Sequence, residues 1–226
     1  MPNDSQVRHI INDDLVRSLP LEFDGKRMRE DLARILSRAD INRTGQLCLT
    51  HAPRRNSHPD GQSYQGSGSF LYRFALQGKE LVRTILKDPL RESDFTDFIP
   101  DFEDTYFHDV WKKLKEFGQS NTFEKFDIGR MRIIRLNPCE CLTWHRDVTA
   151  RIHIPIITNK ESRIVITDRV YHLPESYPYL VQTVFEHSAF NGGNEQRYNL
   201  LTSIVPTEEQ ERQFLESYRE HHDRKP

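Results

Sequence analysis

The stretch from Met131 to Ile157 constrains the fold of this chain most, because it reads as two strands joined by a turn. Polar and apolar residues alternate in its second strand, where Arg151 and His153 fall on one face. The opposite face carries three isoleucines, Ile152, Ile154 and Ile156. Side chains two residues apart in an extended strand point the same way. The pattern therefore predicts a strand that packs one face on a hydrophobic core and lines a cavity with its cationic face.

Short strand-like runs at regular spacing occupy residues 123–206. They predict a double-stranded β-helix, the jelly-roll barrel of cupin type, as the catalytic core. Residues 1–122 are expected to supply helices, strands and a long loop that pack on this barrel, and residues 207–226 a C-terminal helix. We therefore predict one structural domain that is mainly β with flanking helices (α+β).

Five segments outside the barrel lead to specific predictions. Leu19–Phe23 is expected to form a short strand. Lys26–Ser37 and Thr105–Phe117 are predicted helices, because their apolar residues recur at helical spacing. Lys79–Leu86 is expected to be a short helix, and Pro206–His222 a surface helix opened by proline, threonine and two glutamates.

A His-x-Asp pair, His145 and Asp147, lies between the two strands of the central stretch. Residues two apart in an extended chain can hold one ion between them. His187 is the candidate second histidine, since it ends an apolar run and precedes a hairpin sequence, Asn191–Asn194. Two histidines and one carboxylate on one face of an octahedral ion leave three positions open. This arrangement is typical of non-haem Fe(II) oxygenases.

Arg197 opens the strand after this hairpin, so it can reach into the same pocket as His187. Its planar guanidinium suits bidentate capture of a carboxylate. The alternative for Arg197 is a solvated hairpin residue. The alternative for Arg151 is an ion pair with one of the many acidic residues.

The motifs H-R-D, R-I-H-I-P-I-I-T-N and E-H-S-A-F-N-G-G-N-E-Q-R occur in this order in the chain. Together they resemble the aspartyl/asparaginyl β-hydroxylase family of Fe(II)/2-oxoglutarate-dependent dioxygenases. The preceding R-M-R-I-I-R-L-N-P is similar to the lead-in strand of that family, and the resemblance extends from Phe123 to Ile204. The animal protein hydroxylases of the family lack the carboxylate ligand. Because this chain has Asp147, it is more similar to the bacterial members and to the related proline hydroxylases.

The resemblance implies a hydroxylase that uses Fe(II), 2-oxoglutarate and O₂ and acts on an amino acid or an amino-acid residue. The metal ligands implied are His145 and His187, with Asp147 completing the triad. The residues implied for 2-oxoglutarate binding are Arg151, His153 and Arg197.

Other functions stay open from the residues alone. One is a non-catalytic barrel that binds a metal or a small molecule. Another is a metal-dependent hydrolase or isomerase, which needs a general base in the pocket, and Glu186 is the one glutamate near the ligands in sequence. A hydroxylase of another amino-acid-derived metabolite, such as proline, is a further alternative.

A long loop, His51–Ser69, is rich in Gly, Ser, Pro, Asp and Asn. Loops of this length in compact domains are usually functional or disordered. The loop carries the basic residues His51, Arg54, Arg55 and His58. We expect it to fold over the barrel mouth, with Arg54 or Arg55 contacting a substrate carboxylate. A solvated loop is the alternative.

Three residues before His145 have structural interpretations. Trp144 is expected in the core, because it alternates away from His145. Cys139 and Cys141 lack a second cysteine pair that could complete a zinc site, and we expect them to be small apolar residues near the pocket.

The composition restricts partners and location. The formal net charge of −2 over 226 residues gives no reason to expect nucleic acid as a partner. The sequence has no apolar run of the roughly 20 residues that a membrane span needs, and no signal-peptide pattern at its start. Three cysteines fit a reducing cytoplasm. The expected partner is a small-molecule or peptide substrate, and the oligomeric state is left open.

Overall fold

The computed structural model of the protein describes residues 11–41, 45–55, 72–77, 80–85, 90–120 and 125–222. It contains three α-helices, α1 (Gly25–Arg38), α2 (Tyr106–Ser120) and α3 (Glu208–His222). The strands are β1 (Val16–Ser18), β2 (Gln46–Cys48), β3 (Thr50–His51), β4 (Tyr72–Gln77), β5 (Glu80–Ile85), β6 (Asp97–Phe98), β7 (Ile128–Leu136), β8 (Arg151–Ile157), β9 (Ser162–Ile166), β10 (Arg169–Tyr171), β11 (Tyr179–Val181), β12 (His187–Asn191) and β13 (Arg197–Ile204).

Two antiparallel sheets form the body of the protein. The major sheet has six strands in the order β1-β11-β8-β13-β7-β2, and the minor sheet has three in the order β10-β9-β12. The predicted mainly β, double-stranded β-helix fold with flanking helices is confirmed.

The outer face of the major sheet packs against α1 and α2. Residues that alternate along β7, β8 and β13 join residues at helical spacing on both helices in one buried cluster. The central members of this cluster are Met28, Leu32, Ile35, Phe107, Val110, Leu114, Ile133, Ile152, Ile154 and Leu200. This packing leaves the opposite face of the sheet free to line a cavity.

Hydrogen bonds fix how the two helices begin and meet. The Asp24 carboxylate accepts from the backbone N–H groups of Lys26 and Arg27 at 3.0 and 3.1 Å, which caps α1. Asp31 in α1 accepts from the backbone N–H of Tyr106 at 2.6 Å. Because Tyr106 is the first residue of α2, one helix caps the other and fixes their separation.

Two of the element predictions are wrong. Leu19–Phe23 is irregular, and the strand lies earlier, at Val16–Ser18, where it pairs with β11. Pro20 has no N–H to continue that ladder. The segment predicted as a helix from residue 79 to 86 contains β5, paired with β4, and its Val82, Thr84 and Ile85 are β-branched residues that favour strands.

The helices predicted around α1, α2 and α3 are confirmed, with no end differing by more than three residues. No helix among the described residues is long and apolar enough to cross a membrane. Of the long loop predicted from His51, residues 56–69 lie outside the described residues.

Candidate active site

A cavity of about 480 Å³, including its open mouth, lies between the two sheets. It is lined by alternate residues of β7, β8 and β13 on one side and of β9 and β12 on the other. The lining residues are Ile134, Leu136, Leu142, His145, Arg151, His153, Ile164, His187, Ala189, Arg197, Asn199 and Leu201. The cavity thus has an apolar wall and a cluster of nitrogen-bearing side chains.

The structure brings His145, Asp147 and His187 together. Their ligand atoms lie within 4.8 Å of one another. His145 and His187 face each other across an isolated antiparallel bridge, with backbone N–H···O=C distances of 3.1 and 2.9 Å. Asp147 lies in irregular chain beyond the bridge, and its backbone N–H donates to Thr183 at 2.8 Å. The three side chains therefore converge because of this bridge, and not because His145 and Asp147 lie in one regular strand.

Backbone carbonyl groups orient both imidazole rings. Nδ1 of His145 lies 2.7 Å from the carbonyl oxygen of Thr143, and Nδ1 of His187 lies 3.0 Å from that of Phe185. A carbonyl oxygen only accepts, so each ring donates from Nδ1 and leaves Nε2 with a free lone pair. This is the outer-shell support that metal-binding histidines usually have.

Burial and charge keep the triad ready to bind a cation. Burial lowers the pKa of His187 to about 4, so its ring is neutral at physiological pH. Nε2 of His187 is 3.5 Å from Oδ2 of Asp147. Within the described part of the chain, that buried oxygen has no hydrogen-bond partner. An unsatisfied carboxylate oxygen between two imidazole lone pairs fits a divalent ion.

Arg151 and His153 line the cavity, as their alternation predicts. Nη2 of Arg151 forms an ion pair with Oδ1 of Asp147 at 2.5 Å. The ion-pair alternative for Arg151 is therefore present, and its partner belongs to the triad itself. The guanidinium thus holds one oxygen of Asp147 in place while the other stays available.

Arg197 lines the cavity and is buried, with 5% of its surface exposed. Burial lowers its pKa to about 10, which leaves the guanidinium charged at neutral pH. No carboxylate among the described residues pairs with Arg197, and its Nε has no hydrogen-bond partner there. The solvated alternative for Arg197 is wrong. A buried cation that faces a cavity without an anion is suited to bind a carboxylate ligand.

Asn199 is a cavity residue that sequence reasoning missed. Its Nδ2 donates to Nδ1 of His153 at 3.0 Å, which leaves the proton of the neutral ring on Nε2. Burial and the nearby arginine charges lower the pKa of His153 well below its ordinary value. His153 Nε2 has no partner among the described residues, so it can donate to a ligand oxygen. Asn199 could have been predicted to face the cavity, because it lies two residues after Arg197 and therefore on the same face of the strand.

Arg54 and Arg55 are the two candidate substrate residues. Arg54 is exposed in a short 3₁₀ turn, Pro53–Arg55, and does not line the cavity. The side chain of Arg55 lies outside the described residues.

The structural interpretations of the residues before His145 are wrong. Trp144 is 56% exposed rather than in the core, because the inward direction of His145 turns its neighbour outward. Cys139 and Cys141 are also exposed, and Cys139 occupies a turn with φ of 57°.

Comparison with known proteins connects this site to a family. The family model described as aspartyl/asparaginyl beta-hydroxylase matches residues 114–206. A search of curated protein sequences found no match.

Two solved structures have a similar fold. One is an oxidoreductase of the 2OG-Fe(II) oxygenase family from Burkholderia pseudomallei, with 10% identity, 84% of each chain covered and a TM-score of 0.51. The other is the viral collagen prolyl hydroxylase from Paramecium bursaria Chlorella virus-1, with 7% identity, 91% of this chain and 97% of that chain covered, and a TM-score of 0.51. The matched residues 114–206 supply the triad and every polar residue that lines the cavity.

Proposed function

We propose that the protein is an Fe(II)- and 2-oxoglutarate-dependent dioxygenase that hydroxylates an amino acid or an amino-acid residue. One observation supports this most: the nitrogen and oxygen ligand atoms of His145, Asp147 and His187 lie within 4.8 Å of one another. Two imidazoles and one carboxylate suit Fe(II) and leave open positions for other ligands. The family match of residues 114–206 supports the same reaction class.

Arg197 and His153 are the proposed 2-oxoglutarate residues, with Arg151 beside them. The buried guanidinium of Arg197 would bind the distal carboxylate through its planar fork. His153 would donate from Nε2 to a second oxygen, and Asn199 would hold its ring in that tautomer. Arg151 would keep Asp147 oriented toward the metal.

Fe(II), 2-oxoglutarate and O₂ together supply the oxidising chemistry that hydroxylates an unactivated C–H bond. The side chains of this protein bind and orient the reactants. The apolar wall formed by Leu136, Ile164 and Leu201 excludes water from the cavity.

The proposed partner is a small-molecule or peptide substrate, and we propose no role for nucleic acid or a membrane. Arg54 and Arg55 stay candidates for substrate contact. A cytoplasmic location is supported by the three free cysteines, since such a compartment keeps thiols reduced.

Succinate formation tests the function. With Fe(II), 2-oxoglutarate and a panel of amino acids and aspartyl or asparaginyl peptides, we expect succinate only when O₂ is present. Asp147→Ala should lower the rate on the order of 100-fold or more, because it removes a metal ligand. Asp168→Ala, which changes an exposed turn, should not.

Two results would contradict the proposal. Stoichiometric binding of Fe(II) and 2-oxoglutarate with no succinate across the panel would indicate a non-catalytic barrel. Turnover of a substrate without O₂ would indicate a hydrolase or an isomerase.

A further inference from the structure

The side chain of Asn191 lies where the two sheets meet. Asn191 is the last residue of β12, and it pairs with Ser162 at the end of the minor sheet. The hairpin that follows leads into β13, whose first residue, Arg197, pairs with Leu136 of the major sheet. His187 is the first residue of β12. Along the chain, Asn191 therefore lies between a triad histidine and Arg197.

The nitrogen of the Asn191 amide binds the backbone of the major sheet around Arg197. Nδ2 donates to the carbonyl oxygens of Glu195, Asn137 and Leu136 at 2.7, 3.1 and 3.2 Å. Glu195 precedes Arg197 by two residues, and Leu136 lies directly opposite Arg197 on β7. These hydrogen bonds thus hold the backbone on two sides of Arg197, along its own chain and across the ladder.

The oxygen of the same amide binds groups at the start of β9 and in the hairpin. Oδ1 of Asn191 accepts from Nδ2 of Asn159 at 2.8 Å, and from Oγ of Ser162 and the backbone N–H of Gly193 at 3.2 Å each. A Cβ atom on Gly193 would lie 2.5 Å from Nδ2 of Asn159. Glycine at this position therefore allows Asn159 to reach the amide.

The Asn191 amide has one fixed arrangement. It is 1% exposed, with carbonyl groups around its nitrogen and donors around its oxygen, so its orientation is determined. A buried polar network whose members are all paired is rigid. Arg197 has no such support of its own, because no carboxylate among the described residues pairs with it and its Nε has no hydrogen-bond partner there. The backbone held by Asn191 therefore sets the position of Arg197.

We propose that Asn191 is a positioning residue that fixes Arg197 relative to the metal triad and thereby selects the chain length of the 2-oxo acid. This inference rests on the proposed function, because it takes the metal to bind one end of the acid and Arg197 the other. A diacid held at both ends fits only when the distance between the two sites matches its length. Asn191 does not line the cavity, so it acts through Arg197.

Two 2-oxo diacids that differ by one methylene group test this role. The full-length protein is loaded with Mn(II), which replaces Fe(II) without turnover, and 2-oxoglutarate or the longer 2-oxoadipate is titrated by calorimetry. We expect the unmodified protein to bind 2-oxoglutarate at least about tenfold more tightly than 2-oxoadipate, the usual discrimination for one methylene group.

Asn191→Ala should weaken 2-oxoglutarate binding by about tenfold, because buried carbonyl and N–H groups lose their partner and Arg197 is no longer held in place. It should weaken 2-oxoadipate binding less, since the longer acid does not match the fixed distance, and so lower the preference for 2-oxoglutarate at least about threefold. Mn(II) affinity should stay unchanged, because the bridge between His145 and His187 positions the triad.

Asn194→Ala is the matched control, because Asn194 is the same residue type in the same hairpin and is exposed. It should keep both affinities. Asn159→Ala provides the second variant if Asn191→Ala fails to fold. It keeps Asn191 and removes one donor to its oxygen, so the preference for 2-oxoglutarate should fall by about twofold.

A purely structural role of Asn191 would give a different result. Loss of stability lowers the fraction of protein that binds and weakens both acids by the same factor, which leaves the ratio of their affinities unchanged. An unchanged ratio in Asn191→Ala, or in Asn159→Ala where the first variant does not fold, would overturn the inference. Equal affinity of the unmodified protein for the two acids would overturn it as well.

These outcomes leave the proposed function intact as long as Mn(II) and 2-oxoglutarate bind. Failure of the unmodified protein to bind Mn(II) or 2-oxoglutarate would instead contradict the proposed function.

Discussion

At the scale of single residues, the cavity depends on polar groups whose directions are fixed by their neighbours. The carbonyl oxygens of Thr143 and Phe185 orient the two triad histidines, and Asn199 orients His153. Each of these contacts decides which ring nitrogen faces the cavity. The chemistry of the site therefore depends on backbone positions as much as on residue type.

Arg197 carries the clearest prediction at this scale. Arg197→Gln should weaken 2-oxoglutarate binding by a factor of 100 or more, since losing a buried charge partner costs about 3–5 kcal/mol. Arg197→Lys should recover part of the affinity, because a point charge replaces a planar fork. Equilibrium dialysis with labelled 2-oxoglutarate measures the loss, and Mn(II) affinity should stay unchanged.

The control for this prediction is Arg17→Gln, which removes an exposed arginine from β1. It should bind 2-oxoglutarate as the unmodified protein does. An unaltered 2-oxoglutarate affinity in Arg197→Gln would transfer the role to Arg151.

Some of these cavity residues could be predicted from the sequence, and others could not. Alternation along one strand was enough to place Arg151 and His153 on the cavity face, because the period of a strand is local. Asn199 obeys the same period. It was missed because an amide in a strand does not indicate a function until its burial and its hydrogen-bond partners are known.

Among the secondary-structure elements, α1 and α2 pack against the outer face of the major sheet, the face that points away from the cavity. Leu114 in α2 and Ile133 in β7 belong to the same buried cluster, and each has no exposed surface. The strands that carry the cavity residues are therefore supported on the face that points away from the site.

Leu114→Ala should destabilise the protein by about 2–5 kcal/mol, the usual cost of removing a buried leucine side chain. Urea unfolding measures the change. Lys113→Ala, one residue earlier on the exposed side of α2, should change the free energy of unfolding by less than about 0.5 kcal/mol. Similar effects of the two substitutions would mean that α2 does not support the sheet.

Elements with a long amphipathic period were predictable, as α1 and α2 show, because helical spacing is repeated several times in each. Short elements were not. Over six residues, the apolar pattern of the segment containing β5 is compatible with a helix or with a strand. The segment forms a strand because it pairs with β4. For β1, the pairing partner β11 lies far along the chain, so local sequence could not locate the strand.

At the scale of the whole molecule, the core joins segments from both halves of the chain. The cluster behind the major sheet includes Met28 and Leu32 of α1 as well as Ile154 and Leu200 of the barrel. The predicted division at residue 123 would cut through this cluster. This supports the prediction of a single structural domain.

A fragment of residues 114–206, the segment that matches the family model, should not fold by itself. It lacks α1 and the first half of α2, so the apolar outer face of its sheet would be exposed to water. We expect an amide NMR spectrum without dispersion, in contrast to that of the full-length protein. A fragment that unfolds cooperatively would show that the barrel is a domain in its own right.

An anaerobic crystal structure of the full-length protein with Mn(II) and 2-oxoglutarate would show both proposed binding sites at once. We expect one metal ion bound by Nε2 of His145, Nε2 of His187 and the Asp147 carboxylate, at about 2.0–2.2 Å by analogy with other divalent metals. We also expect the distal carboxylate of 2-oxoglutarate on Arg197. A metal bound elsewhere, or 2-oxoglutarate outside the cavity, would contradict the proposed function.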